Sequence, residues 1–98
     1  MSFPSTLSVL IVDDETLARV RLRDLLADIA AEVPNEVIGE AANGELAVSL
    51  LQERLPDVML VDIRMPKMDG IELARHVGRL GKPPAIVFVT AYDSYAVQ

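Results

Sequence analysis

Short apolar runs alternate along the chain with longer amphipathic stretches. The runs at residues 7–12, 58–61 and 85–90 are largely apolar and rich in β-branched residues. Such runs are typical of strands that are buried on both faces of a sheet. A further run at residues 37–41 is interrupted by glycine and glutamate. We therefore expect a weaker strand at the sheet edge there.

Between these runs, apolar residues recur at helical spacing. The pattern predicts helices over residues 16–33 and 44–55, and a third helix that opens after Asp69. Thr16, Asn43 and Asp69 are the predicted N-caps. The positions expected to face the core are Leu22, Leu25, Leu26, Ile29 and Ala30; then Leu46, Ala47, Leu50 and Leu51; then Ile71, Ala74, Val77 and Leu80.

The resulting order is βαβαβαβ. Strands that alternate with helices are typical of a parallel sheet with helices on both faces and right-handed crossovers. The 98 residues suffice for one domain, residues 1–98. The fold class is therefore α/β with a doubly wound parallel sheet.

Composition narrows the class of protein. The net charge of −6 disfavours direct contact with nucleic acid, which requires a basic surface. The chain has no cysteine, so thiolate metal sites and disulfides are excluded. Its first residues lack a basic signal-peptide segment, and its apolar runs are far shorter than the ~20 residues that span a bilayer. The simplest expectation is a cytoplasmic protein without membrane contact.

Carboxylates follow two of the buried strands. Asp13 and Asp14 come directly after the first strand, and Asp62 ends the third. Singly, each is explained as a turn or helix-cap residue. Together they make one site if the first and third strands are neighbours, which gives the strand order 2-1-3-4. Ligands of such sheets bind beside the switch point, at the carboxyl ends of the strands.

The predicted chemistry is a magnesium site that contains a nucleophile. Mg²⁺ prefers oxygen ligands, which Asp14 and Asp62 offer, while Asp13 can position a metal-bound water. The backbone carbonyl of Arg64 is a further candidate ligand. Asp62 is the better nucleophile because it stands alone before a loop, and a carboxylate can form an acyl phosphate. Thr90 can donate a hydrogen bond to an added phosphoryl oxygen.

Three stretches of the chain, residues 12–15, 61–73 and 89–92, resemble the receiver domain of bacterial two-component response regulators. The resemblance implies a flavodoxin-like fold and a histidine kinase as phosphoryl donor to Asp62. It also implies that Asp13, Asp14 and the Arg64 carbonyl bind Mg²⁺, and that Thr90 is the switch hydroxyl.

A finer resemblance concerns the output of the protein. Residues 17–19 and 90–97 look like the branch whose output is a LytTR-type DNA-binding domain, of the kind found in LytR/AlgR-like transcriptional regulators. That resemblance implies an output domain beyond residue 98. The negative charge of residues 1–98 leads us to expect no nucleic-acid contact by this domain itself.

The chain also departs from the family pattern. The family's fifth strand, the lysine after it and its last helix are missing from the 98 residues, so the receiver domain is expected to be C-terminally incomplete. Neither Lys67 nor Lys82 stands at the matching place, and we expect weak phosphorylation or none. The fourth strand then lies at an apolar edge, which predicts a homodimer or strand exchange.

Two other functions remain open at this point. One is an interaction module with a receiver fold that is never phosphorylated. The other is a Mg²⁺-dependent phosphohydrolase with an aspartyl nucleophile, which would need a second acid two residues after Asp62. Arg64 occupies that position, so an enzyme is the less favoured alternative.

Overall fold

A computed structural model describes residues 6–65 and 68–89 of the chain. These residues form four strands and three helices in the predicted order. Their bounds are β1 Leu7–Val12, α1 Thr16–Asp28, β2 Asn35–Ala41, α2 Gly44–Glu53, β3 Val58–Asp62, α3 Gly70–Val77 and β4 Ala85–Val89.

The four strands form one parallel sheet in the order β2-β1-β3-β4, which confirms the prediction. The register pairs Val12 of β1 with Val61 of β3. Asp13 and Asp62 therefore follow directly on paired residues of neighbouring strands. The switch point between β1 and β3 is thus the place where the acidic residues leave the sheet.

The core lies between one face of the sheet and helices α2 and α3. Alternate residues of β1 and β3 point to this face, as the two-residue period of a strand requires. The buried cluster consists of Leu10, Val12, Ala41, Ala47, Leu51, Met59, Val61, Met65, Leu73 and Val77. Within α3 the central residue is Leu73, whereas the predicted core position Ile71 is exposed, as is Leu46 in α2.

The face covered by α1 is less closed. Leu22 and Leu26 are half-buried, but Leu25 and Ile29, which were predicted to face the core, are 59% and 43% exposed. Among the described residues α1 packs on β1 and β2, and the half-buried side of the helix carries Leu22 and Leu26 rather than Leu25 and Ile29.

Two of the three predicted helix caps are confirmed. The side chains of Asn43 and Asp69 accept hydrogen bonds from the backbone N–H groups of Leu46 (2.8 Å) and Glu72 (2.9 Å). The predicted Thr16 cap is wrong: Thr16 is the first residue of α1, and Glu15 stands at the cap position without a side-chain cap.

Helix α1 also ends sooner than predicted, at Asp28. The side-chain amide of Asn35, at the start of β2, donates to the carbonyl oxygens of Leu26 (2.9 Å) and Val33 (2.8 Å). A continued helix would have bonded the Leu26 carbonyl to the Ala30 N–H, which instead donates to the Ala27 carbonyl at 3.3 Å.

A hydrogen-bonded pair closes the amino end of the sheet. One carboxylate oxygen of Asp57 accepts from the backbone N–H (2.9 Å) and the hydroxyl (3.1 Å) of Ser8. The Asp57 N–H in turn donates to the Ser8 hydroxyl and carbonyl oxygens, both at 2.9 Å. The Asp57 carbonyl accepts from Ala85 N–H at 3.1 Å, so one residue ties together β1, β3 and β4.

Strand β4 pairs with β3 through residues Ala85–Val89 and, within the described part of the chain, lies at the sheet edge. Val87 and Phe88 are exposed there. The homodimer predicted from this edge stays a prediction. Among residues 6–65 and 68–89, none of the helices has the length and apolar character needed to cross a membrane.

Candidate functional site

The first part of the site is built where β1 ends. Asp13 is 4% exposed, and its N–H donates to the Ala41 carbonyl (3.0 Å), which extends the ladder to β2 by one bond. One of its carboxylate oxygens accepts from the N–H of Glu15 at 2.9 Å, which turns the chain toward α1. Asp14, between them, is exposed. Asp13 is therefore held rigidly, whereas Asp14 is presented to solvent.

The second part is built where β3 ends. Asp62 is 7% exposed, and one of its carboxylate oxygens accepts from the N–H of Arg64 at 3.1 Å. The same turn arrangement therefore recurs at both strand ends: an aspartate side chain holds the N–H of the residue two positions on.

The predicted acidic cluster forms in the structure. Asp13, Asp14 and Asp62 each offer a carboxylate oxygen, and the offered atoms lie within 4.8 Å of one another. Several carboxylate oxygens with an open, solvent-facing side suit a hard divalent cation such as Mg²⁺, which keeps part of its water shell. The donor set thus fits the predicted metal in chemistry and spacing.

The electrostatics of the site are unfavourable without a cation. Burial raises the pKa of Asp62 above its ordinary value, and the neighbouring charges of Asp13 and Asp14 raise it further against the lowering effect of the Arg64 N–H. Burial likewise raises the pKa of Asp13, again with help from Asp14. A divalent cation would offset this repulsion.

The loop after Asp62 returns to the site through a glycine. The N–H of Gly70 donates to the carbonyl of Ile63 (3.0 Å), and a Cβ at this position would lie 2.5 Å from the backbone oxygen of Asp62. Only a residue without a side chain permits this approach. Gly70 therefore lets α3 begin directly behind Asp62.

A second glycine receives the same loop on α2. A Cβ on Gly44 would lie 2.7 Å from the Cβ of Met68. The methionine therefore rests on the first turn of α2 and packs against the core.

Sequence reasoning missed Arg19 as a site residue and used it only as a mark of resemblance. Its guanidinium donates to the Asp13 carbonyl oxygen (2.6 Å) and to the carboxylate of Glu40 (2.9 Å). The available signal was an arginine on the sheet-facing side of the helix that follows the acidic pair, with a glutamate in the adjacent strand β2.

The other predicted site residues are distributed as follows. Thr90 lies outside the described residues, as does Lys67. The Arg64 carbonyl stays a predicted ligand. Lys82 precedes β4 and is exposed, at the end of the sheet opposite the carboxylates, as expected.

Comparison with known proteins gives a family match over most of the chain. The sequence model of the response regulator receiver domain family matches residues 9–98. The chain is 47% identical over 92 residues to the sensory transduction protein LytT of Bacillus cereus, which covers 94% of this chain and 36% of LytT. It is 42% identical over 92 residues to the positive alginate biosynthesis regulatory protein of Pseudomonas aeruginosa, with coverage of 94% and 36%.

A solved structure extends the comparison to the fold. The CheX–CheY–BeF₃–Mg²⁺ complex from Borrelia burgdorferi matches with a TM-score of 0.77 at 28% identity, covering 93% of this chain and 66% of that one.

The chain spans about a third of the length of the curated relatives it matches, at 34–36%.

The sheet order, the helices on both faces and the carboxylates at the switch point define a flavodoxin-like, doubly wound domain. Within that class the chain belongs to the receiver domain family of response regulators. The matched relatives are regulators rather than enzymes, and LytT and the alginate regulator are of the predicted LytTR type. Receiver domains of this family interact with histidine kinases and are joined to output domains.

Proposed function

We propose that the chain is a phosphorylation-controlled switch in which Asp62 accepts a phosphoryl group from a histidine kinase. The observation that carries the proposal is the cluster of Asp13, Asp14 and Asp62, whose oxygens lie within 4.8 Å at the carboxyl ends of adjacent strands. The named components of the Borrelia complex, BeF₃ and Mg²⁺, support a phosphoryl and metal site on the same fold.

Asp62 is proposed as the nucleophile. One of its carboxylate oxygens attacks phosphorus while the bond from phosphorus to the donor imidazole nitrogen breaks, and the bonding electrons leave with the imidazole. The product is an aspartyl phosphate. The Arg64 N–H, 3.1 Å from one Asp62 oxygen, holds the carboxylate in a fixed orientation for this attack.

Asp13 and Asp14 are proposed to hold Mg²⁺ together with Asp62, and the Arg64 carbonyl to complete the protein ligands. When bound, the cation neutralises charge on the phosphoryl oxygens during transfer. Because burial and like charge raise the pKa of Asp62, the metal-free carboxylate is poised to gain a positive partner.

The readout is proposed to run through β4. Asp62 pairs in register with Val89, so Thr90 directly follows the residue beside the nucleophile. A hydroxyl that bonds the new phosphoryl oxygens would move the end of β4, and the surface beyond it would change its partner. The relatives of LytTR type suggest a transcription-regulating output.

The decisive experiment is acyl phosphate formation measured by intact mass. The protein is incubated with Mg²⁺ and acetyl phosphate, both as residues 1–98 and as a longer chain that supplies the family's lysine. We expect a weak adduct or none for residues 1–98, a labile adduct of one phosphoryl group for the longer chain, and none for either chain with Asp62→Asn. Asp57→Asn is the matched control, because it changes the aspartate at the other end of the same strand and should leave the adduct intact.

The alternatives predict different results in the same assay. Continuous turnover of phosphomonoesters without a stable adduct would indicate the phosphohydrolase. Absence of any adduct, even in the longer chain that supplies the family's lysine and binds Mg²⁺, would leave an interaction module that works without phosphorylation.

A further inference from the structure

Arg19 makes contacts on three sides with three different nitrogen atoms. Its Nη1 donates to the backbone carbonyl of Asp13 at 2.6 Å, its Nε to Glu40 at 2.9 Å and its Nη2 to the Thr16 hydroxyl at 3.3 Å. The side chain is only 16% exposed. The arginine thus joins the end of β1, the first turn of α1 and strand β2.

Glu40 is fixed by a second arginine, and this fixes the position of Arg19 in turn. Its two carboxylate oxygens are divided between Arg19 and Arg23, each of which donates from Nε. The hydrogen bond from Arg23, supported by Arg19, holds the pKa of Glu40 below its ordinary value despite the burial of the carboxylate. Glu40 is therefore an ionised partner at neutral pH.

The carbonyl that Arg19 contacts belongs to the peptide that joins Asp13 to Asp14. The Asp13 N–H is already fixed by the Ala41 carbonyl of β2 at 3.0 Å. With its carbonyl fixed as well, the plane of the next peptide has a defined orientation. That plane sets the direction in which Asp14 leaves the sheet toward Asp62.

We propose that Arg19 is a positioning residue of the metal site, which orients the Asp13–Asp14 peptide so that both carboxylates meet the cation. This inference rests on the proposed magnesium site and adds to it a residue that does not touch the metal. Partners behind the ligands of metal sites commonly set affinity by 10- to 100-fold.

The direction in which Mg²⁺ affinity changes when Arg19 is removed distinguishes a positioning role from a purely electrostatic one. A guanidinium beside the cluster repels a cation, so a purely electrostatic role predicts that removal of Arg19 tightens Mg²⁺ binding. A positioning role predicts that removal of Arg19 weakens Mg²⁺ binding, because the freed Asp13–Asp14 peptide must then lose conformational entropy when the metal binds.

Lysine gives a second separation. It keeps the positive charge but presents one ammonium group instead of a planar fork, and it cannot reproduce three contacts in three directions. Arg19→Lys should therefore lose most of what Arg19→Ala loses.

The test is a Mg²⁺ titration of the protein followed by ¹H–¹⁵N NMR, with the amide signals of Asp13, Asp14 and Asp62 as readouts. We expect about 10-fold weaker binding for Arg19→Ala and Arg19→Lys. Glu40→Gln, which loosens Arg19 without removing it, should weaken binding about 3-fold on the same basis. Arg23→Lys is the matched control, since Arg23 contacts Glu40 but not Asp13, and it should stay within about 2-fold of wild type.

The proposal is overturned if Arg19→Ala binds Mg²⁺ as tightly as wild type or more tightly, or if Arg19→Lys binds as wild type does. Should Arg19→Ala fail to fold, Arg19→Lys and Glu40→Gln decide the matter by the same criteria. If wild-type protein itself binds no Mg²⁺, the proposed metal site fails and this inference fails with it. If wild-type protein binds Mg²⁺ and the variants bind it equally well, the inference about Arg19 is overturned but the proposed metal site is not.

Discussion

Two aspartates bracket strand β3, Asp57 directly before it and Asp62 as its last residue, and the two have opposite surroundings. Asp57, at the amino end, accepts two hydrogen bonds from Ser8 and returns two from its own N–H. Asp62, at the carboxyl end, lies against Asp13 and Asp14, and its side chain accepts a hydrogen bond from the Arg64 N–H.

The difference shows which end of the strand serves stability and which serves chemistry. At the amino end the polar groups satisfy one another within the protein. At the carboxyl end burial and like charges raise the pKa of Asp62, so the folded chain retains an unfavourable arrangement that an external cation can relieve. Groups with perturbed pKa values in such surroundings are typical of functional sites.

The largest effect is expected from closing the space behind Asp62. Gly70→Ala would place a Cβ 2.5 Å from the Asp62 carbonyl oxygen and 3.0 Å from the Cα of Ile63, both backbone atoms that cannot swing away. We expect a loss of about 3 kcal/mol in the free energy of unfolding, measured by urea denaturation. Gly81→Ala is the control, since a Cβ there meets nothing within 4 Å, and an equal loss in both variants would contradict the explanation.

The amino end can be broken by removing its acceptor. Asp57→Ala leaves the N–H and hydroxyl of Ser8 without their acceptor, and we expect a loss of about 2 kcal/mol. Asp57→Asn should cost less than about 1 kcal/mol, because both donors use the same Asp57 oxygen and an amide oxygen can replace it. If the two substitutions prove equally costly, the charge of Asp57 matters more than its acceptor geometry. Urea denaturation supplies both values.

The same aspartate-to-asparagine change should have the opposite sign at the carboxyl end. In Mg²⁺-free buffer at neutral pH, Asp62→Asn removes one of three crowded charges, and we expect a gain of roughly 1 kcal/mol in the free energy of unfolding. The same variant should lose most of the stabilisation that wild-type protein gains from added Mg²⁺. Destabilisation by Asp62→Asn without metal would argue that the carboxylate is structural, as at Asp57.

The smallest effect is the pH dependence of that gain. The folded-state pKa of Asp62 is raised above 3.8, so its penalty is absent below pH 3.8 and develops as the pH rises through the folded-state value. The stability difference between Asp62→Asn and wild type should therefore shrink on acidification. Glu40 has a lowered pKa, so its contribution to the stability of the protein is lost as the pH falls. Both proteins contain Glu40, so this contribution cancels in the difference. A difference that grows below pH 5 would contradict this assignment.

Much of the fold was readable from local pattern. The strand order followed from the assumption that Asp13 and Asp62 serve one site, and the sheet confirms it. The caps at Asn43 and Asp69 were also readable, because each depends on a side chain and an N–H three residues apart. The wrong core positions in α1 have one cause: helical periodicity shows that a face is apolar but not how wide a part of it the sheet will cover. Leu25 and Ile29 lie on the uncovered part.

The sequence by itself determined the class of fold, the identity of the acidic residues and the family, because these depend on residue type and on spacing along the chain. Only the tertiary structure decided that Asp57 is satisfied and Asp62 is not, since their partners lie in β1 and in the turn that follows it. It alone also placed Arg19 behind the Asp13 carbonyl, a contact that requires α1 and β2 to converge. The reason is that charge repulsion and hydrogen bonding depend on the distances between segments that are far apart in the chain, and these distances cannot be read from the order of residues.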